Sequence, residues 1–270
     1  MSAALDALAA EPSLRDILGV SVAALGWDEA LDLVAGHVTR GDFLRLGWLN
    51  ANNANIMRER PDYRAVLDRF LILPDGVGVD IASLILHGRP FPANLNGTDF
   101  APALIRHVAM PMRVALIGAK REVAEQAAAD FAGMSPRHEF RVIMDGFYSK
   151  AAEPAVLDAI AAYRPHLLLV CMGVPRQELF IAQKITPAHC TVAVAAGALF
   201  DLHTGAIPRA APWMRGLRLE WLARLWHEPT RLWRRYILGN PIFLARVAAQ
   251  RLTGRITRHP QAADSHDPSR

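Results

Sequence analysis

Lysine is almost missing from this 270-residue chain: of its 30 basic side chains only Lys120, Lys150 and Lys184 are lysines. Arginine carries a planar fork of donors that suits phosphate and carboxylate, so the bias points to anionic partners; a GC-rich genome produces the same bias. Cysteine is nearly absent too. Cys171 and Cys190 lie in apolar runs and read as buried free thiols, so no disulfide framework argues for an oxidising compartment. Long hydrophobic runs are missing. The longest uncharged apolar segment, Cys190 to Phe200, falls well short of the roughly 18–20 residues of a spanning helix. The first residues lack the basic start and sustained apolar stretch of a signal peptide, so the expected location is the cytoplasm, the inner membrane surface included. There is no Asp-x-Asp, no Gly-x-x-x-x-Gly-Lys, no Cys-x-x-Cys and no Gly-x-Ser-x-Gly. The ten histidines are scattered without ligand spacing, so no bound metal is expected. Gly118-Ala119-Lys120 follows a strand but lacks the three-glycine dinucleotide fingerprint, which argues against a nicotinamide dehydrogenase.

What is present is a chain able to bury a large core. Hydrophobic residues make up 52% and charged residues 21%, which excludes wholesale disorder. The formal net charge of +4 is unevenly spread: residues 209–258 hold 11 arginines against Glu220 and Glu228, leaving a mildly acidic remainder. Short runs of Leu, Val and Ile at Phe43–Asn50, Phe70–Leu73, Arg113–Gly118, Phe140–Met144, Leu167–Met172 and Thr191–Ala196 read as strands. Helical patterns fall at Asp28–Arg40, Tyr63–Asp68, Gly78–His87, Thr98–Val108, Glu122–Gly133, Pro154–Tyr163 and Arg176–Lys184. Near-continuous apolar strands alternating with helices predict an α/β fold: a Rossmann-like, mostly parallel sheet with helices on both faces. Such sheets bind ligands beyond the carboxyl ends of their strands, where this sequence keeps Asn50, Asn52, Asn53, Asp75, Gly118, Asp145, Gly173 and Gly197.

After Pro208 the strands stop, and the chain divides into a body (1–208), a basic helical appendage (209–258) and a polar tail (259–270) expected to be disordered. Trp213–Trp226, Pro229–Leu238 and Pro241–Leu252 read as three helices, with Pro229 and Pro241 in their first turns. Four of the six tryptophans lie here among the arginines. Aromatic and cationic side chains together suit an anionic membrane surface; a helical subdomain packed on the body, with solvated arginines, fits the same pattern.

Four segments could carry chemistry. Leu73-Pro-Asp75-Gly-Val-Gly78 ends a strand in an acid followed by glycines, placing a carboxylate where backbone can approach a ligand; a turn with Asp as helix cap explains it equally. In Asn94-Leu-Asn-Gly97-Thr98-Asp99, Thr98 is placed to cap a helix whose free N–H groups suit phosphate oxygens; a plain capped loop has the same sequence. Gly173-Val-Pro-Arg-Gln177-Glu178 crowds three polar heads at a strand-to-helix mouth, more than a structural loop needs. Asp145-Gly-Phe-Tyr148 offers an aromatic face to a base or sugar, or a core ring beside a turn.

Together with Ala196-Gly-Ala-Leu-Phe-Asp201, Arg209-Ala-Ala-Pro-Trp-Met-Arg215, Leu219-Glu-Trp-Leu-Ala-Arg224 and Glu228-Pro-Thr-Arg-Leu-Trp-Arg-Arg-Tyr236, these motifs resemble the WecG/TagA/CpsF glycosyltransferases of bacterial surface-polysaccharide synthesis, from about Gly41 to Val247. The resemblance implies a cofactor-free, metal-independent enzyme. It would move a hexose from a UDP-sugar to an undecaprenyl-diphosphate-linked sugar with inversion. It further implies a C-terminal appendage that engages the membrane and helps complete the active site. Carried over by position, Asp75 is the general base. Thr98, Asp99, Gln177 and Glu178 line the donor pocket, and Asn50, Asn52, Gly97, Gly118, Tyr148 and Gly173 are further donor-binding candidates from their places at strand ends and loops. Arg209, Arg215, Arg224, Arg231, Arg234 and Arg235 grip diphosphate or lipid headgroups.

One departure stands out: many members of the family have Thr-Pro-Asn after the first strand, where this chain has Asn50-Ala-Asn52-Asn53. An Asn amide would then replace the threonine, leaving glucose, N-acetylmannosamine and its uronic acid open as donor sugars. The rival expectation is a non-catalytic protein that senses a UDP-sugar and binds a membrane or nucleic acid. The acids Asp75, Asp99 and Glu178 at strand ends speak against it, and the basic segment contains no nucleic-acid-binding module, so no nucleic acid partner is expected. A homo-oligomer that hides the apolar appendage off the membrane is compatible with the sequence.

Overall fold

The computed structural model describes residues 12–208, 210, 214 and 220–254. Its centre is an eight-stranded sheet: β1 (Leu14–Ile17), β2 (Val20–Ala23), β3 (Leu44–Leu49), β4 (Leu71–Pro74), β5 (Arg113–Gly118), β6 (Glu139–Met144), β7 (Leu167–Cys171) and β8 (Val192–Ala195). The order across the sheet is β1-β2-β4-β3-β8-β7-β5-β6, parallel throughout except for the β1–β2 hairpin. The helices are α1 (Trp27–Arg40), α2 (Ala51–Glu59), α3 (Pro61–Leu67), α4 (Val77–His87), α5 (Gly97–His107), α6 (Arg121–Met134), α7 (Glu153–Tyr163), α8 (Arg176–Lys184) and α9 (Leu199–His203). The C-terminal region adds α10 (Glu220–His227), α11 (Pro229–Trp233) and α12 (Gly239–Thr253).

Strand pleating explains why the central strands read as unbroken apolar runs. In β7, Leu167, Leu169 and Cys171 enter one core while Leu168 and Val170 enter the other. One core is closed by α2, α3, α4, α7, α8 and α12, the opposite one by α1, α5, α6 and α9. Cys171 and Cys190 are both buried free thiols. No helix among the described residues is long and apolar enough to cross a membrane.

Several elements depart from the sequence expectation. The β1–β2 hairpin was not foreseen because its turn, Leu18-Gly19, has positive φ at both residues (54° and 85°) yet lacks the usual Asn-Gly or Asp-Gly signature. Helix α2 was missed because Asn52, Asn53 and Asn55 are poor helix formers; Asn50 starts it, its Oδ1 accepting the Asn53 N–H at 3.0 Å. Asn96, not Thr98, caps α5: its Oδ1 takes the Asp99 N–H at 3.0 Å and the Thr98 hydroxyl at 2.8 Å. Pro241 does not open a helix of its own. It is the third residue of α12, which continues from a π-helical turn over Arg234–Leu238. A proline here would leave the Ile237 carbonyl without an ordinary α-helical donor, and the wider turn relieves this.

Helix α12 is built into the body. Phe243 and Val247 are wholly buried against α2 and α4. Arg246 Nη1 donates to Asn55 Oδ1 at 2.6 Å, and Asn55 Nδ2 donates to the Gly239 carbonyl at 2.7 Å. Gln250 donates to Asp16 Oδ1 at 2.5 Å and accepts the Leu18 N–H at 2.9 Å, fastening the helix to the β1–β2 turn. The remainder of the 209–219 segment, residues 1–11 and the tail from 255, with the disorder expected of it, lie outside the described residues.

Candidate functional site

The carboxyl ends of β3 to β8 open into one cleft of about 740 Å³. Parallel strands force this convergence: each βα connection leaves from the same edge, so strand-end residues far apart in sequence face one space. The N-terminal turns of α4, α5 and α8 and Lys120 before α6 line it, turning unpaired N–H groups and positive dipole ends inward. Leu232, Arg235 and Tyr236, with Asn240 from the start of α12, form the opposite wall.

Asp75 follows β4 and is held on two sides. Its N–H donates to the Leu49 carbonyl at 2.9 Å, and Asn50 Nδ2 donates to its Oδ2 at 2.9 Å. Asn50 thus serves both as cap of α2 and as the clamp on Asp75. Gly76 has φ +90°, a left-handed backbone that lets the chain turn directly into α4, and its N–H donates to Asn94 Oδ1 at 2.8 Å. Gly97 is required by close packing: a Cβ there would lie 3.2–3.3 Å from the Trp48 indole, whose N–H donates to the Leu95 carbonyl.

Gln177 and Glu178 begin α8 and are each only 2% exposed. Gln177 Oε1 accepts the N–H groups of Gly173 at 3.2 Å and Gly197 at 3.1 Å, tying together the loops after β7 and β8. Its Nε2 donates to Glu178 Oε1 at 3.0 Å. Burial pushes the Glu178 carboxyl from 4.5 up to about 7, against the opposing effect of the Gln177 hydrogen bond, and Glu178 Oε2 has no hydrogen-bond partner. Because the folded value is raised, the acid's contribution is complete below about 4.5 and is lost as pH rises through about 7. Glu178→Gln is therefore expected to flatten the fall in stability across that interval, by about 3 kcal/mol at most. Parallel melting curves of both proteins from acid to neutral pH check this; identical pH slopes would remove the buried-acid account.

The cleft brings together Asn50, Asn52, Asp75, Gly97, Thr98, Asp99, Gly173, Gln177, Glu178 and Arg235. Three sequence candidates, Gly118, Tyr148 and Arg234, are placed elsewhere. Gly118 (φ +123°) does not line the cleft; a Cβ there would fall on the Cys171 carbonyl, so this glycine serves the crossing of neighbouring strands. Tyr148 lies in the wall of a neighbouring cavity of about 450 Å³, with the Arg176 guanidinium 5.3 Å from its ring centre, and the adjacent Phe147 reaches the cleft instead. Arg234 is exposed beside Trp233. Arg224 and Arg231 belong to α10 and α11, but their side chains, like Arg209 and Arg215 as a whole, lie outside the described residues. The sequence reading overlooked Trp48, Asn94, Asn96, Lys120 and Asp201 as lining residues, while Arg176, singled out beside Gln177 and Glu178, does line the cleft. Trp48 and Lys120 lie at or just beyond strand ends, whereas Asn94 and Asn96 lie in the loop between α4 and α5 and Asp201 within α9. Among the described residues no three of His, Cys, Asp and Glu gather as a metal site.

The model of the glycosyl transferase WecG/TagA/CpsF family matches residues 15–257, nearly the whole described chain. The protein belongs to this family. It is similar to the N-acetylglucosaminyldiphosphoundecaprenol N-acetyl-beta-D-mannosaminyltransferase of Bacillus spizizenii (strain ATCC 23059 / NRRL B-14472 / W23), at 35% identity over 195 residues, 70% of this chain and 72% of the relative. It is also similar to the protein of the same name from Bacillus subtilis (strain 168), at 29% identity over 182 residues, 67% and 70% of the respective chains. In this WecG/TagA/CpsF glycosyl transferase, acids, amides and helix N-termini converge on the cleft.

Proposed function

We propose that the protein transfers an N-acetylmannosamine-type hexose from a UDP-sugar to a polyprenyl-diphosphate-linked sugar, by a single displacement that inverts the anomeric centre. The observation that carries this reading is the Asp75 carboxylate, clamped by Asn50 and placed within the cleft lined by helix N-termini. The names of the two Bacillus relatives support the acceptor class and the transferred sugar.

In this mechanism Asp75 accepts the proton of the acceptor hydroxyl as its oxygen attacks the anomeric carbon from the face opposite the departing UDP. A carboxylate is a weak base, but it acts as the attacking oxygen becomes more acidic. Negative charge building on the diphosphate is met by Arg176, Lys120, Arg235 and the N-terminal turns of α4, α5 and α8. These protein charges take the part that a divalent ion plays in other transferases, and added chelator is expected to leave turnover unchanged. Asn50, Asn52, Thr98, Asp99, Gly173, Gln177 and Glu178 line the donor side. The protein works as a peripheral enzyme on the inner face of the membrane, where its acceptor is anchored.

A panel of UDP-sugars assayed against short-chain polyprenyl-diphosphate N-acetylglucosamine, with UDP release as readout, tests the reading. UDP-N-acetylmannosamine is expected to give the highest turnover. UDP binding without sugar turnover on any acceptor would replace the enzyme with a nucleotide-sugar sensor.

A further inference from the structure

Helix α4 has an unusual outer surface. Its exposed positions are Ile81, Leu84 and Ile85, spaced at i, i+3 and i+4 on one stripe, and none is polar. Its one acid, Asp80, is buried. Helix α12 packs directly beside it, with Phe243 against Gly78. The exposed positions of α12 from Pro241 to Ala249 are Pro241, Ile242, Ala245, Ala248 and Ala249, again without charge, because Arg246 is turned inward to Asn55. Ile237 and Leu238, just before α12, are also about half exposed. The outward stripe of a surface helix is normally polar, and here two neighbouring helices have bare apolar faces.

We infer that α4 and α12 together form the face by which the protein lies on an anionic lipid bilayer, so that α4 of the α/β body, and not only the segment after Pro208 to which α12 belongs, sits in the headgroup layer. This rests on the reading of the acceptor as a lipid-linked sugar. Two observations choose the bilayer over other occupants. The first is charge: neither helix exposes an acid, while Arg89 just past α4, Arg234 before α12 and Arg251 near its end are exposed cations at the margins. Apolar side chains rimmed by arginines match the acyl–headgroup boundary of an anionic leaflet. The second is position: both helices start at the cleft. Gly76 and Gly78 line it one turn before Ile81, and Asn240 lines it immediately before Pro241. A sugar diphosphate entering the cleft from a bilayer under this face keeps its lipid tail in the membrane.

Co-sedimentation with vesicles of phosphatidylcholine, with and without phosphatidylglycerol, tests this on the full chain. Wild-type protein is expected to bind, more strongly when phosphatidylglycerol is present. Leu84→Glu combined with Ile242→Glu should lower the bound fraction about tenfold or more, the factor that losing one or two buried aliphatic side chains implies. Transfer to a water-soluble short-chain acceptor should be unchanged in that variant, and transfer to acceptor embedded in vesicles should fall with binding. Leu84→Ser with Ile242→Ser should show the same order of effects at smaller size, which guards against a folding defect in the glutamate variant. Undiminished vesicle binding by both variants would overturn the inference. So would a wild-type dimer that the glutamates dissociate while vesicle binding stays intact, which would assign the face to a second copy of the chain. If neither wild type nor variant turns over the soluble acceptor but the variant still loses vesicle binding, the transferase reading fails and the docking face stands.

Discussion

Asp75→Asn is expected to lower turnover about a thousandfold, within the roughly 10²–10⁴ range that a positioned general base contributes. The substitution is isosteric, and the side-chain environment is prepared for it. Asn50 Nδ2 donates to Oδ2 of Asp75 at 2.9 Å, and an asparagine carbonyl accepts that same hydrogen bond. The new amide nitrogen then takes the place of the lone pair that would receive the acceptor proton. Binding of UDP and the melting temperature should stay near their wild-type values, since the backbone bond from the Asp75 N–H to Leu49 is untouched. Steady-state kinetics with a soluble acceptor, beside a thermal melt, separate the two effects. Near-normal turnover in the folded variant would remove Asp75 from the chemistry and leave its clamp by Asn50 as a purely structural contact.

Phe243→Ala should destabilise the protein by about 3–5 kcal/mol, the usual cost of emptying a fully buried aromatic site. That is a large part of the roughly 5–15 kcal/mol that holds a typical domain together. Phe243 has no exposed surface and fills the space beside Gly78, where a Cβ would meet its ring at 3.7 Å. The resulting void lies between α12 and the start of α4, beside Gly78. Activity is expected to fall with stability, because Arg235, Tyr236 and Asn240 enter the cleft from the same stretch of chain that Phe243 anchors. Urea unfolding should show a lower midpoint at an unchanged slope. A loss below about 1 kcal/mol would mean that α12 rests only loosely on the body. The same packing makes truncation after Pro208 a poor test of the basic segment: it strips Phe243 and Val247 from the core along with the arginines.

Much of the site was legible because parallel α/β connections place strand-end residues in one crevice regardless of side-chain detail. Asn50, Asn52, Asp75 and Gly173 were found on that ground, Thr98 as a helix-cap candidate, Gln177 and Glu178 as polar heads at a strand-to-helix mouth and Asp99 from the family resemblance, and the cleft contains them all. The misplacements have local causes. Gly118 and Gly76 look alike in sequence, but one glycine is demanded by a neighbouring carbonyl and the other by a turn into a helix at the cleft. At Asp145-Gly-Phe-Tyr148 the strand alternation ends, so only the turn decides that Phe147 faces the cleft and Tyr148 the neighbouring cavity. Thr98 looked like a cap because hydroxyls often are, yet the helix starts two residues earlier, where Asn96 takes the Asp99 N–H.

The sequence by itself determined the layered α/β class, the edge of the sheet where ligand-facing residues gather and the basic character of the C-terminal segment. Each follows from local pattern: apolar runs buried on both faces, strand-end polarity and composition. Tertiary structure alone decided the strand order, the protonation-prone burial of Glu178 and the seating of α12 on α2 and α4. It also decided that Ile81, Leu84 and Ile85 remain uncovered. An apolar stripe on a helix looks the same in sequence whether protein or something else covers it, and only the packing of its neighbours shows which side was left open.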